Sequence, residues 1–196
     1  MKKGFTLIEL LVVIAILAVL MSVIVVTLNP AEMLKKTRDT KRISDLDAVR
    51  TAINLFITDQ GSLPSGITLG TCYLSTTTPQ TMPTSICSTS TSTSNPQSIT
   101  NSGWVPINFT LISSGAPLSS LPLDPTNGVG SAGYTSTPLG WHFYIFKGNS
   151  SSSTYKLMAN MESSYYSGNP SGAGDVESKD GGNYADVYEV GSDLSL

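Results

Sequence analysis

The sequence is short of the residues that carry most enzyme chemistry. It has one histidine and two cysteines in 196 residues, and charged side chains make up only 13% of it. With His142 as the only imidazole, a Ser-His-Asp arrangement would have to be built around a residue whose setting reads more simply as a β-strand. No catalytic constellation emerges, and no enzyme is expected. The formal charge of -3 is too small and too dispersed for a nucleic-acid-binding surface or a disordered acidic tail, so no specific nucleic acid is expected as a partner. The cysteines lack CxxC spacing, which removes a redox motif and a zinc knuckle. The chain is also too short for two full domains beside an anchor, which leaves room for one head.

What is present divides sharply. A mean hydropathy of +0.08 averages an apolar N-terminus and a long remainder rich in Ser, Thr, Gly and Asn. No charge occurs from Leu10 to Leu28, and Phe5 to Leu28 is interrupted only by Glu9. At about 1.5 Å per residue that stretch makes roughly 36 Å of helix, against a hydrocarbon core of about 30 Å. A secretory signal peptide would be shorter and would end in small residues, and Thr27-Leu28-Asn29-Pro30 does not. The segment is therefore expected to stay with the mature chain and span a membrane.

Glu9 stands out because a carboxylate at the centre of an inserted helix costs about 2.5–3.5 kcal/mol, less near an end. Two readings stand at this point: a snorkelling or protonated side chain, or a carboxylate with a cationic partner. No cation lies in the apolar span after Lys3, so a partner would come from another chain.

The run Met1-Lys2-Lys3-Gly4-Phe5-Thr6-Leu7-Ile8-Glu9-Leu10-Leu11-Val12-Val13-Ile14 resembles the N-terminal signal of type IV prepilins and type II secretion pseudopilins. The shared elements are a short basic leader, a glycine before the cut, a phenylalanine after it and a glutamate four residues further on. The resemblance implies that a prepilin peptidase cuts between Gly4 and Phe5 and methylates the new amine. Gly4 offers no side chain to obstruct a protease, and the Phe5 amine stays cationic after N-methylation. In that family the glutamate pairs with the N-terminal amine of a neighbouring subunit. A low dielectric strengthens such a pair and penalises an unpaired charge, so Glu9 would select one stacking register.

Lys35, Lys36, Arg38, Lys41 and Arg42 beyond the span outnumber Lys2 and Lys3 before it, which by the positive-inside count would leave the head in the cytosol. Three observations weigh against that orientation. Glu32 and Asp39 lie among those cations, the cysteines favour an exported head, and the family's leader stays inside.

The expected fold class is α+β, type IV pilin-like, with a long N-terminal helix packed on a small antiparallel sheet. Its divisions are a leader at 1–4, a membrane and filament-core helix at 5–29, an amphipathic helix at 30–61 and an extracytoplasmic head at 62–196. Asn29-Pro30 marks a break. Beyond it Ile43, Leu46, Val49, Ile53 and Phe56 recur every three or four residues, and Gly61 and Pro64 supply the stop. The basic cluster from Lys35 to Arg42 reads as a solvated, charge-paired face, with lipid headgroups, neighbouring subunits and DNA as other contacts it suits.

Residues 71–102 read as an exposed Ser/Thr-rich loop, either plain or carrying O-linked glycans. Cys72 and Cys87 bracket half of it, and a disulfide is favoured over two separate buried thiols. Trp141–Lys147 and Thr154–Met161 predict an antiparallel hairpin, Tyr184–Val190 a weaker strand, and Trp104–Leu111 a short strand or irregular segment. Leu121-Pro122-Leu123-Asp124-Pro125-Thr126-Asn127-Gly128 reads as turn, and its first five residues are similar to a segment before the sheet in pseudopilins. Asp175, Glu177, Asp180, Asn183 and Asp186 offer oxygen ligands with flexible glycines, as a calcium loop would, against the plainer reading of a solvated acidic loop. No other cofactor is expected.

The resemblance implies a structural filament subunit serving adhesion, twitching motility or DNA uptake. Its implied partners are copies of itself, the prepilin peptidase, the pilus assembly platform with its ATPase machinery, and inner-membrane lipid before assembly. Its implied place is the cytoplasmic membrane as a single-pass precursor, then a surface filament. A pseudopilin driving protein export is the alternative. A monomeric signal-anchored surface binding protein is a third reading, which leaves Gly4, Phe5 and Glu9 together unexplained.

Overall fold

The computed structural model describes residues 4–80, 82–127, 141–168 and 172–196. Leader residues 1–3, Thr81 of the Ser/Thr-rich segment and Gly128 of the turn segment lie outside the described residues. The chain opens with two helices, α1 (Leu7–Leu28) and α2 (Pro30–Gln60). Between them Asn29 takes a left-handed conformation (φ 40°, ψ 72°) that ends α1 and starts α2. Its Oδ1 accepts from Glu32 N at 3.4 Å. Pro30 sits in the first turn of α2, where its missing N–H has no carbonyl to serve. The break therefore rests on Asn29, one of the residue types that tolerates this region best, with Pro30 preset to begin the next helix. Gly61 (φ 85°) closes α2, its N–H donating to Ile57 O at 2.8 Å.

The head is a five-stranded sheet in the order β2-β1-β3-β4-β5, built from β1 (Thr71–Leu74), β2 (Thr89–Thr91), β3 (Ile145–Asn149), β4 (Thr154–Ala159) and β5 (Tyr188–Gly191). All neighbours are antiparallel except β1 and β2. The α+β expectation of a long helix on a small, mostly antiparallel sheet holds. The β3–β4 hairpin pairs Ile145 with Met158 and Asn149 with Thr154. Strand alternation sorts the side chains into two layers. Phe146, Tyr155, Leu157, Ala159 and Val190 face α2 and pack with Leu46, Val49, Ala52, Ile53 and Phe56. Trp104, Val105, Ile107, Phe109 and Leu121 fill the same core from irregular chain that includes a short 3-10 turn at Phe109–Leu111. On the far face Cys72, Leu74, Ile145, Met158 and Val187 meet Met82, Ile86, Cys87, Trp141 and Phe143.

The expectation of an exposed loop at 71–102 is corrected. β1 lies inside the sheet between β2 and β3, with Cys72 and Leu74 buried, and β2 forms the edge. Even Ser75 and Thr76 are buried. Tyr144 N donates to Ser75 Oγ at 2.7 Å and Ser75 N donates to Tyr144 O at 2.9 Å. Hydroxyls satisfied this way are not expelled by burial, so a Ser/Thr-rich composition did not keep the segment at the surface. Trp104–Leu111 resolves as irregular chain and the 3-10 turn, with an isolated bridge between Thr100 and Asn108.

Candidate functional site: the N-terminal helix and its anchor in the head

Every side chain described from Gly4 to Ile24 is exposed, and Phe5 is 86% exposed. Leu7–Ile24 is long and apolar enough to cross a membrane, with none of it buried in the chain's own head. An apolar helix with no intramolecular cover requires lipid or other helices around it. Exposed apolar residues continue past the break at Met33 and Leu34. A Cβ at Gly4 would meet nothing within 4 Å, so packing gives no reason for glycine there.

Glu9 has a local use as well. Thr6 is the N-cap of α1 and Glu9 the third helical residue, forming a capping box. Glu9 N donates to Thr6 Oγ1 at 3.3 Å, while Thr6 N and Thr6 Oγ1 donate to Glu9 Oε2 at 2.9 and 2.7 Å. The pattern Thr-x-x-Glu before an apolar run carries this signal, and a reading of Glu9 as an isolated carboxylate overlooks it. Within the uncut chain the carboxylate is thus held by the first turn of its own helix.

The start of α2 is tied to the head by buried charges. Arg42 is fully buried. Its Nε and Nη2 donate to Asp124 at 2.6 and 2.9 Å, its Nη1 to Asp39 at 2.7 Å, and its Nη2 also to Glu162. Arg38 holds Glu162 from the other side, Nε to Oε1 at 3.1 Å. Asp39 accepts from the backbone N–H of Glu162 and Ser163 at 2.9 and 2.8 Å. Nearby, Glu32 Oε1 accepts Ser164 N at 2.6 Å, and Tyr144 Oη donates to Asp45 at 2.9 Å. Burial works against the Arg42 charge, but hydrogen bonds and charge from Asp124 and Glu162 outweigh it and raise its pKa. Burial likewise opposes ionisation of Glu162, yet Arg38 and Arg42 bring its carboxyl down to about 2. Arg42 and Glu162 are each held in the charged form by the other's presence.

The reading of Lys35–Arg42 as a solvated face therefore fails at Arg42, and the turn residue Asp124 proves to be its bidentate partner. The signal lies in the apolar stripe Leu46, Val49, Ile53, Phe56. Continued backwards at the same three-and-four spacing, it falls on Arg42 and Asp39.

Asp124, His142 and Glu162 bring their possible ligand atoms within 4.8 Å of one another, but Arg42 already supplies the cation there. The residues proposed as calcium ligands serve separate backbone groups. Asp175 accepts Ser178 N at 3.0 Å, and Glu177 accepts Met161 N and Gly168 N, both at 2.8 Å. Asp180 accepts Gly182 N and Glu189 N at 2.7 and 2.6 Å, while the Asp186 carbonyl accepts Asn160 Nδ2 at 3.3 Å. Asn183 turns to Lys156. These residues form no group of converging ligand atoms among the described residues. Cys72 and Cys87 are joined in a disulfide.

No curated protein and no solved structure gives a significant match to the chain. Residues 1–25 match the family model of the prokaryotic N-terminal methylation motif. Together with the uncovered apolar helix, that match identifies the first 25 residues as the prepilin-type signal of type IV pilins and pseudopilins, on a membrane-anchored precursor.

Proposed function

We propose that this chain is the structural subunit of a type IV pilus-like filament, cut by prepilin peptidase between Gly4 and Phe5, methylated at Phe5 and stacked through α1. The observation that carries the reading is Glu9: one carboxylate on an otherwise apolar, uncovered helix, four residues from a cut that makes a cation. In the precursor Glu9 caps its own helix through Thr6. In the filament the Phe5 amine of a neighbouring copy takes a share of the same carboxylate, and charge neutralisation among apolar helices selects one axial register. The head faces away from the cytoplasm, and Met33 and Leu34 extend the assembly surface beyond the break.

The Leu-Pro-x-Asp-Pro segment favours a second reading, a pseudopilin that drives protein export, because Asp124 within it anchors the spine to the head. The Ser/Thr-rich segment favours the surface-displayed filament. Electron microscopy of cells, with mass spectrometry of the subunit's N-terminus, tests both: long surface filaments of a subunit starting at methylated Phe5 support the pilus. Glu9→Leu is expected to insert normally and to leave cells bare of filaments. Wild-type filament yield from that variant would remove Glu9 from the assembly mechanism.

A further inference from the structure

The far face of the sheet carries a buried lysine that filament assembly does not use. Lys156, on β4, is fully buried. Its Nζ lies 2.6 Å from Glu189 Oε1 on β5, and it donates to Asn183 Oδ1 at 2.8 Å and to Leu194 O at 3.0 Å. The Tyr184 ring stands over the same nitrogen, 4.8 Å to its centroid. Glu189 is 1% exposed, and its Oε1 faces the lysine off the direction of an aligned hydrogen bond, so this contact is an ion pair by distance.

The loop before β5 is built around that carboxylate. Tyr184 N donates to Glu189 Oε2 at 2.9 Å, and Asp180 accepts both Gly182 N and Glu189 N. A Cβ at Gly182 would lie 1.8 Å from Glu189 Oε2, so only glycine leaves room for it. The result is an amine in contact with both a carboxamide and a carboxylate, the amine and the carboxylate shut away from water.

We propose that Lys156 and Asn183 form an intramolecular isopeptide bond, with Glu189 as the proton carrier. Glu189 takes a proton from the Lys156 ammonium, leaving a neutral amine against the Asn183 carboxamide, whose Oδ1 it touches. The nitrogen lone pair attacks Asn183 Cγ, and the proton on Glu189 stabilises the developing oxyanion at Oδ1. Glu189 then gives its proton to Nδ2 and takes one from Nζ, which ends as an amide N–H. The Cγ–Nδ2 bond breaks, the Nζ–Cγ bond remains, and one ammonia leaves. No oxidant or other reactant is needed, and the exposed position of Asn183 gives ammonia a way out. Water, the competing nucleophile, is kept from Nζ and Glu189 by burial. The product links β4 covalently to the loop before β5, so the C-terminal strand could not peel from the sheet under load. This inference stands on the head alone and is independent of the filament reading.

The test uses the full chain purified in detergent, reduced, and digested with trypsin. The expected product is a branched peptide joining the segment after Lys147 to the C-terminal segment after Lys179, lighter than its unlinked parts by one ammonia, about 17 Da, with Lys156 uncut. Asn183→Ala and Glu189→Gln are each expected to restore cleavage after Lys156 and to abolish the branch. Linear peptides ending at Lys156, with Asn183 unmodified or closed on itself as a succinimide, would overturn the proposal. Persistence of the branch in Glu189→Gln would overturn the role of Glu189.

Discussion

The two halves of the N-terminal spine invert the usual arrangement in opposite ways. α1 leaves its apolar side chains uncovered from Leu7 to Ile24, whereas α2 buries Asp39, Arg42 and Asp45 beside its apolar stripe. Each arrangement is costly without a partner. The partners of α2 lie in its own chain, at Asp124, Glu162 and the backbone of residues 162 and 163. Those of α1 do not lie in its own head, and an uncovered apolar helix calls for lipid or other helices. Head stability and assembly should therefore respond to different residues. α2 decides whether the head holds together, and α1 what the head is attached to.

The largest expected effect comes from removing the buried cation. Arg42→Ala leaves Asp39, Asp124 and Glu162 facing one another without it, and breaking a buried ionic cluster on one side costs about 3–5 kcal/mol. Thermal unfolding of the full chain in detergent should show a much lower Tm for the head, with membrane insertion unchanged. Ile14→Ala, on the uncovered face of α1, should leave that Tm where it is. Equal shifts from the two variants would end the division of labour.

Acid should sharpen the same contrast. Glu162 titrates at about 2 in the folded head against an ordinary value of 4.5. A depressed carboxyl contributes stability that is fully present above the unfolded value and is lost as pH falls through the folded one. The window is therefore pH 4.5 down to 2, and the loss is roughly 3 kcal/mol at about 1.4 kcal/mol per unit. Glu177 works in the opposite sense. Burial raises its carboxyl to about 7 despite hydrogen bonds from Gly168 and Met161. Between pH 4.5 and 7 the unfolded chain gives up that proton first, so the head loses stability as pH rises through this window. Chemical denaturation across pH 2–8 should therefore peak near pH 4.5. Glu162→Gln should flatten the acid limb and Glu177→Gln the other.

The same comparison explains what could be read from the sequence. The nature of α1 needed no tertiary information, because uninterrupted apolarity states its own environment. The β3–β4 hairpin was legible from its alternation. Within α2 the stripe from Leu46 to Phe56 was legible, but its continuation through Arg42 and Asp39 was hidden, since a charge is buried only when distant residues complete it. Asp124 is such a residue, 82 positions away. β1 was hidden for a related reason: the Ser75 that follows it looks soluble until the backbone of Tyr144, just before β3, supplies its partners. The capping box at Thr6 and Glu9 is different. It is entirely local, and was masked by the stronger signal of a carboxylate in an apolar run.

The smallest expected effect belongs to the joint between the halves. Asn29 holds a left-handed conformation, which costs an ordinary residue roughly 1–2 kcal/mol and a β-branched one more, while glycine adopts it freely. Few contacts bind the first turn of α2 to the head, chiefly Glu32 to Ser164. Strain at residue 29 can thus be relieved by bending or fraying there without disturbing the Arg42 cluster. Asn29→Gly should change head stability by less than about 0.5 kcal/mol, because the conformation is kept and only a long capping bond is lost. Asn29→Val should change it little more, yet alter the angle at which α1 leaves α2, and so reduce filament yield or change filament geometry. Filament imaging beside head unfolding separates these outcomes. A fall in head Tm for Asn29→Val as large as that for Arg42→Ala would mean that the joint transmits strain into the cluster, and that the two halves of the spine behave as one helix.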